Sequence, residues 1–165
     1  MRRQAPIARV IYAPTGAYST SQIANAGQNT WTFTPTVAYT HLIPSQNIEL
    51  SANYGLEFYT PNGQTHYHNA PISVLDLLAL KRFEGGWGVG VVGGWIQQLG
   101  DDTGGIANVL GGTSGHAVGI GPMVTWSGKV GKTPVSANFR WVNEFEASGR
   151  PKGNSVQLSI SATFE

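Results

Sequence analysis

Apolar and polar side chains alternate strictly through residues 31–40, which read WTFTPTVAYT. Large apolar residues such as Trp31, Phe33 and Tyr39 occupy odd positions, whereas threonine and alanine fill the even positions. Successive side chains of a β-strand point to opposite faces, so this period of two predicts a strand with one apolar and one polar face.

The same period of two recurs along most of the chain. It is clearest in residues 48–59, 135–142 and 156–164, and glycine occupies much of one face in residues 87–99 and 116–126. Each of these segments therefore predicts a strand with two chemically different faces.

Two further segments carry a weaker pattern. Residues Ala8–Tyr18 predict an N-terminal strand, with an irregularity indicated by Pro14 and Gly16. Residues 72–83 fit either a short amphipathic helix or a strand, and we favour the strand because nothing else in the chain is helical. All segments together predict about eight strands, each longer than the roughly 5–6 residues usual in soluble sheets.

The connections between the predicted strands alternate in length. The short connections are residues 44–47, 84–86 and 128–132, and the longer ones are residues 19–29, 61–70, 100–113 and 147–153. Short turns at one end and long loops at the other are typical of outer-membrane barrels. We therefore predict an all-β fold, an antiparallel meander β-barrel that residues 1–165 form as a single domain.

Aromatic side chains concentrate at both ends of the predicted strands, and smaller aliphatic residues dominate between them. Amphipathic rings prefer the headgroup level of a bilayer, so this placement predicts two aromatic girdles around a lipid-facing band. The predicted girdle residues are Tyr18, Trp31, Phe58, Phe83, Trp87, Trp95, Trp126, Phe145 and Phe164.

Composition excludes several classes of protein. The 165-residue chain has a formal charge of +1, no cysteine and 12% charged residues, against about 25% in soluble domains. A near-neutral balance argues against a nucleic-acid binder, which needs a basic surface. No stretch approaches the roughly 20 apolar residues of a transmembrane helix. Met1-Arg2-Arg3 is basic, but no apolar segment follows it, so no secretory signal is predicted.

An ordered set of short segments resembles the outer-membrane family of meta-pathway phenol-degradation proteins, which are also described as transporters. The resemblance runs along nearly the whole chain. It implies a β-barrel in the bacterial outer membrane with more strands than this chain has, so that the chain would be the C-terminal part of an N-terminally truncated barrel. The segments that carry it are residues 13–18 (APTGAY), 31–35 (WTFTP), 81–83 (KRF), 119–122 (GIGP), 144–147 (EFEA) and 150–153 (RPKG).

Charged and amide side chains lie on the face opposite the predicted lipid-facing band. They predict a narrow lumen that would select solutes by size and by the local electric field. The alternative is that these groups form salt bridges that fill a plugged lumen, with Arg140 paired to Glu57 or Glu144. The candidate lumen-lining residues are Glu49, Asn53, Glu57, Asp76, Arg82, Arg140 and Glu144.

No residue pattern predicts catalysis, a metal site or a cofactor. His66 and His68 lack a third ligand nearby, and residues 101–105 (DDTGG) lack the alternating acidic ligands of a calcium loop. Glu144 and Glu146 would share one strand face, as glycosidase carboxylates sometimes do, but nothing else supports hydrolysis. We therefore expect that the chain is not an enzyme.

The sequence thus leaves three hypotheses for function. The first is a channel or transporter for small, aromatic or hydrophobic compounds, with outer-membrane lipid and a small solute as partners and no nucleic acid. The second is a plugged barrel with a structural or interaction role. The third is a soluble, lipocalin-like ligand-binding barrel whose apolar faces point inward.

Overall fold

The protein is all-β, and its strands form one antiparallel sheet curled into a half-barrel. This computed structural model describes residues 3–4, 6–22 and 24–164. Met1 and Arg2 of the basic N-terminus lie outside the described residues, as do Ala5, Ile23 and Glu165. The strands are β1 (Arg3–Gln4), β2 (Ile7–Tyr12), β3 (Thr32–Ile43), β4 (Ile48–Tyr59), β5 (Ile72–Arg82), β6 (Trp87–Gln98), β7 (His116–Val130), β8 (Thr133–Ser148) and β9 (Asn154–Ala162).

From β3 onward, each strand pairs with the next one along the chain, as a meander requires. Both β1 and β2 pair with β3, so these two short strands occupy one edge position of the sheet. Strand β9 forms the other edge, and in the described part of the chain no pairing joins it to β1 or β2. The predicted antiparallel meander is confirmed, including a strand rather than a helix within residues 72–83.

The N-terminal strand is shorter than the predicted Ala8–Tyr18, because β2 ends at Tyr12. The chain turns immediately afterwards, with the Thr15 amide donating to the carbonyl oxygen of Ala13 at 2.9 Å. Gly16 then packs so closely on Ala26 that a Cβ at position 16 would lie 2.7 Å from the Ala26 carbonyl oxygen. This local folding removes residues 13–18 from the sheet.

A short helix that the alternation pattern did not predict lies in one long loop. Helix α1 covers Gly105–Leu110 and is flanked by Gly104 and Gly111, which both have positive φ angles. Six residues are too few for a helical period to stand out in a sequence. Among the described residues, no helix is both long and apolar enough to cross a membrane.

Register pairing shows which side chains share a face of the sheet. In one row across the strands, Asn53 pairs with Asp76, Asp76 with Gly94, Gly94 with Gly119, and Gly119 with Glu144. Paired residues of neighbouring strands project from the same face. This row lines the concave face of the curled sheet, whereas most large apolar strand residues project from the convex face.

The small buried core lies on the concave face. Leu80 is 3% exposed, and its near neighbours Gly88 and Gly90 lie on the adjacent strand β6. A Cβ on Gly88 would lie 3.3 Å from a methyl group of Leu80, so glycine leaves room there for the leucine. Val92 and Ala117 are the other buried apolar residues of this face.

A β-bulge near the end of β8 separates two glutamates that were expected to share a face. Glu144 pairs with Gly119 and Glu146 pairs with Val118, so Phe145 has no partner in the β7 register. Gly119 and Val118 are consecutive and project to opposite faces. Glu144 therefore projects from the concave face and Glu146 from the convex face, and the expected pair on one face is wrong.

Candidate functional site

A cavity of about 470 Å³ occupies the concave face of the half-barrel. Residues from every strand between β3 and β9 line it, because curling of the sheet brings these strands around a common space. Four of the seven predicted lumen-lining residues contribute polar groups to this cavity. They are Asn53, Asp76, Arg140 and Glu144.

The other predicted lumen residues lie toward the two ends of the concave face. Near the short turns, a guanidinium nitrogen of Arg82 lies 2.5 Å from a carboxylate oxygen of Glu49. Near the long loops, Glu57 accepts a hydrogen bond of 2.6 Å from the Tyr59 hydroxyl. These three residues are thus engaged by neighbours within the sheet.

Arg140 does not form the expected ion pair with Glu57 or Glu144. Glu144 instead accepts a hydrogen bond of 2.8 Å from the backbone amide of Gly153 and lies 3.5 Å from the Arg150 guanidinium. Both partners belong to the loop before β9. Within the described residues, neither Arg140 nor Asp76 has an ion-pair partner within 4.0 Å.

Asp76 and Arg140 therefore present opposite, unneutralised charges to the same cavity. Asp76 stands on β5 beside Gly94, whose missing side chain leaves the carboxylate exposed, and Arg140 stands on β8. Exposed charges of opposite sign on two walls can orient a polar solute between them. This pair and the cavity around it form the candidate functional site.

The long loops next to this cavity are held together by Asp102. Its Oδ1 accepts hydrogen bonds from the Ala70 amide at 2.8 Å and from the Gln98 side chain at 2.7 Å. Its Oδ2 accepts from the Tyr67 hydroxyl and, at 3.2 Å, from the Thr113 hydroxyl. Asp102 is therefore a structural hub rather than part of a calcium loop.

Asn62 has the same role one loop earlier. Its Oδ1 accepts hydrogen bonds from the amides of Gln64 and Thr65 at 2.9 and 3.2 Å and from the Asn29 side chain at 3.2 Å. Its Nδ2 donates to the carbonyl oxygen of Gln28 at 3.0 Å. The loop before β3 is thereby tied to the loop before β5.

The two histidines of the loop before β5 contact backbone groups of neighbouring segments or lie in a turn. A ring nitrogen of His68 lies 3.0 Å from the carbonyl oxygen of Tyr59, and the His68 backbone bridges to Thr103. His66 adopts a positive φ of 56° in a turn. In the described ranges, no group of three or more potential protein ligands converges.

Burial raises the pKa of the Tyr67 hydroxyl, and its hydrogen bond to Asp102 raises it further. The folded protein then keeps this proton at a pH where unfolded tyrosine, with a pKa of about 10, has lost it. We expect the free energy of unfolding to fall as the pH rises above about 10. Urea unfolding in detergent between pH 9 and 11 measures this fall.

Two variants make the alkaline prediction specific. Tyr67→Phe is expected to show a smaller decrease in stability over this pH range than the parent protein. Tyr12→Phe, at an exposed position of edge strand β2, is the control and should follow the parent. An equal decrease in the parent and in Tyr67→Phe would contradict the prediction.

Most of the predicted girdle residues are exposed near strand ends. Trp87 and Trp126 pair in register near the short turns, whereas Trp31 stacks on Phe33 near the long loops with ring centroids 6.4 Å apart. Tyr18 and Trp126 differ, since both are half-buried, and Tyr18 lies in the loop before β3. The remaining exposed members are Phe58, Phe83, Trp95, Phe145 and Phe164.

Comparison with known proteins agrees with the expected family. A family model with the description "Putative MetA-pathway of phenol degradation" matches residues 8–160, from within β2 to within β9. No curated protein and no solved structure matches the chain. The matched range includes the concave cavity, Asn62, Asp102 and the long loops beside them. Because the match covers nearly the whole chain, the chain belongs to the family of MetA-pathway phenol-degradation proteins.

Proposed function

We propose that the chain forms the wall of an outer-membrane pore through which small, aromatic or hydrophobic compounds pass, and that it catalyses no reaction itself. Family membership links the chain to phenol degradation. The proposal that compounds pass along the chain rests on one observation. The concave cavity contains Asp76 on β5 and Arg140 on β8, and neither has an ion-pair partner among the described residues. Unpaired charges inside a cavity are available to a solute.

The convex face supports a lipid environment for this pore. Large apolar side chains such as Leu77, Val91 and Ile120 project from it and are each about half exposed. An apolar surface that extends over a whole sheet is costly in water, whereas acyl chains match it. The proposed location is the bacterial outer membrane, with lipid as the partner of this face.

The sheet has two edge strands, β2 and β9, that a closed pore would have to pair. All residues of β2 and β9 are exposed. In the hydrocarbon region every backbone donor and acceptor needs a partner, so a barrel must have no open edge. We therefore propose that additional strands complete the barrel in the membrane.

Single-channel recording in planar bilayers tests the pore and the role of its charges. The barrel completed by its additional strands is expected to conduct in discrete steps. Asp76→Asn should lower the ratio of cation to anion permeability by about twofold, and Arg140→Gln should raise it by a similar factor, because each change removes one fixed charge from the path. Reversal potentials in a salt gradient measure this ratio.

Glu146→Gln is the matched control for these recordings. Glu146 carries the same charge type on β8 but projects from the convex face, where it pairs with His116 at 3.3 Å. Its neutralisation should leave the permeability ratio unchanged. A permeability ratio that is unchanged in both Asp76→Asn and Arg140→Gln would refute a path along the concave face. An equally large change of the ratio in Glu146→Gln would refute it as well.

A plugged barrel is the second candidate. It is favoured by the buried Leu80 and Val92 on the concave face and by the Arg82–Glu49 ion pair. A completed barrel that is inserted into the bilayer but gives no conductance would support it. The lipocalin-like hypothesis requires apolar faces inside, and it is not supported because the large apolar residues project from the convex face.

A further inference from the structure

The outer side of edge strand β9 has none of the features that keep a sheet edge from pairing. Its residues Asn154–Ala162 alternate without interruption and include no proline, no glycine and no charged residue. Soluble sheets usually protect an edge with such residues, because the unpaired N–H and C=O groups of an edge bind other strands. One side of β9 pairs with β8, and no strand of the described chain pairs with the other side. The open side of β9 is thus ready to accept a strand.

The opposite edge, at β2, continues the chemistry of the two sheet faces. All residues of β2, Ile7–Tyr12, are exposed, and β3 pairs with one side of the strand only. Ile7 and Ile11 project from the convex face, as the apolar residues of β9 do. Arg9 also projects from this face, near the long loops, where an arginine side chain can reach the membrane surface. A contact between a β9 edge and a β2 edge would therefore extend the apolar band.

The geometry of the sheet allows two copies of the chain to close on each other. The sheet has eight strand positions, because β1 and β2 share one of them and β3 to β9 fill the other seven. Neighbouring strands alternate in direction along the meander, so the two edges run in opposite directions. A half-turn about the barrel axis therefore brings β2 of a second copy beside β9 of the first as an antiparallel pair. The same rotation joins the other two edges, and the ring closes.

We propose that the additional strands of the barrel come from a second copy of this chain, so that two half-barrels close one barrel with two β9–β2 seams. The inference rests on the proposed function, since the hydrocarbon region of a membrane requires both edges to be paired. Two copies with eight strand positions each give sixteen strands. Eight strands alone enclose a space that side chains fill, whereas about sixteen leave an aqueous channel. The dimer thus supplies the lumen that the proposed passage needs.

Engineered cysteines test the β9–β2 seam, because the chain has no cysteine of its own. Ala8 on β2 pairs with Thr36, and Gln157 on β9 pairs with Arg140, so both project from the concave face. Thr36 and Arg140 each lie seven residues from the short-turn end of their strand, which places Ala8 and Gln157 at a similar height. The variants Ala8→Cys and Gln157→Cys are refolded together in detergent and treated with a short bis-maleimide. A crosslinked dimer is expected from the mixture and from neither variant alone.

Ser51→Cys is the matched control for the crosslinking. Ser51 projects from the same concave face, but it lies on β4 in the interior of the sheet, far from either edge. A mixture of Ala8→Cys and Ser51→Cys should give no crosslinked dimer. Light scattering of the parent protein, corrected for bound detergent, should give twice the mass of one chain.

Three results would overturn the second copy as the partner. They are a parent mass other than that of a dimer, an equal yield of dimer with Ser51→Cys, and crosslinking of Gln157→Cys with itself, which would mean that two β9 edges pair. Bilayer recordings separate this inference from the pore proposal. Conductance by a single-chain barrel would refute the dimer and leave the pore, whereas a crosslinked dimer without conductance would refute the pore and leave the β9–β2 seam.

Discussion

Replacing Gly121 with alanine is expected to prevent normal pairing of β7 with β8 and to destabilise the protein by about 3 kcal/mol. A Cβ at position 121 would overlap the carbonyl oxygen of Trp141 and lie 3.0 Å from the Cα of Val142. Both atoms belong to the backbone of β8, so no side-chain rotation can relieve the overlap. The neighbouring Pro122 has no amide hydrogen to contribute to this ladder.

The variant Gly121→Ala is best measured by urea unfolding after refolding in detergent, together with electrophoretic mobility of boiled and unboiled samples. Gly93→Ala provides the matched control on the adjacent strand β6. A Cβ at position 93 would lie 3.4 Å from the nearest atom, which is an ordinary contact. Equal stability of the two variants would show that β8 can move away from Gly121 without loss.

Asp102→Asn is expected to lower the free energy of unfolding by about 2–3 kcal/mol and to loosen the long loops. Both carboxylate oxygens of Asp102 accept hydrogen bonds, and each has two donors. An asparagine at this position must direct an NH₂ group toward two donors. The variant thus loses accepted bonds and gains a repulsive contact in a partly buried position.

Asp101→Asn is the control, since it makes the same chemical change at the adjacent, exposed residue. Unfolding by urea measures stability, and limited proteolysis reports on the loops around Tyr67 and Thr113. We expect faster cleavage of these loops only in Asp102→Asn. Similar stability and cleavage of the two variants would contradict the role of Asp102 as the loop hub.

The sheet could be predicted from sequence because its signal is local. Alternation within residues 31–40 is enough to define β3, and the same reasoning resolved β5 despite its leucine-rich composition. The two faces of each of these strands meet different environments, so the residue types along the strand alternate with a period of two. The strand ends were less well predicted, since the turn after Tyr12 depends on contacts with Ala26.

The site was predicted less completely because its contacts are between distant residues. The bulge at Phe145 cannot be recognised in the alternation of the sequence, yet it moves the Glu146 side chain to the opposite face of the sheet. The predicted ion pair of Arg140 with Glu144 was wrong, because the Glu144 carboxylate interacts instead with the Gly153 amide and the Arg150 guanidinium of the loop before β9.

The free edges impose a parity rule on whatever completes the barrel. Strand β2 runs from the short-turn end toward the long loops, and β9 runs the opposite way. If β2 and β9 paired directly, the pair would be antiparallel. Each antiparallel strand inserted between them reverses the relative direction of the last two strands that meet to close the barrel. An all-antiparallel barrel therefore admits only an even number of additional strands, and an odd number would leave one parallel seam.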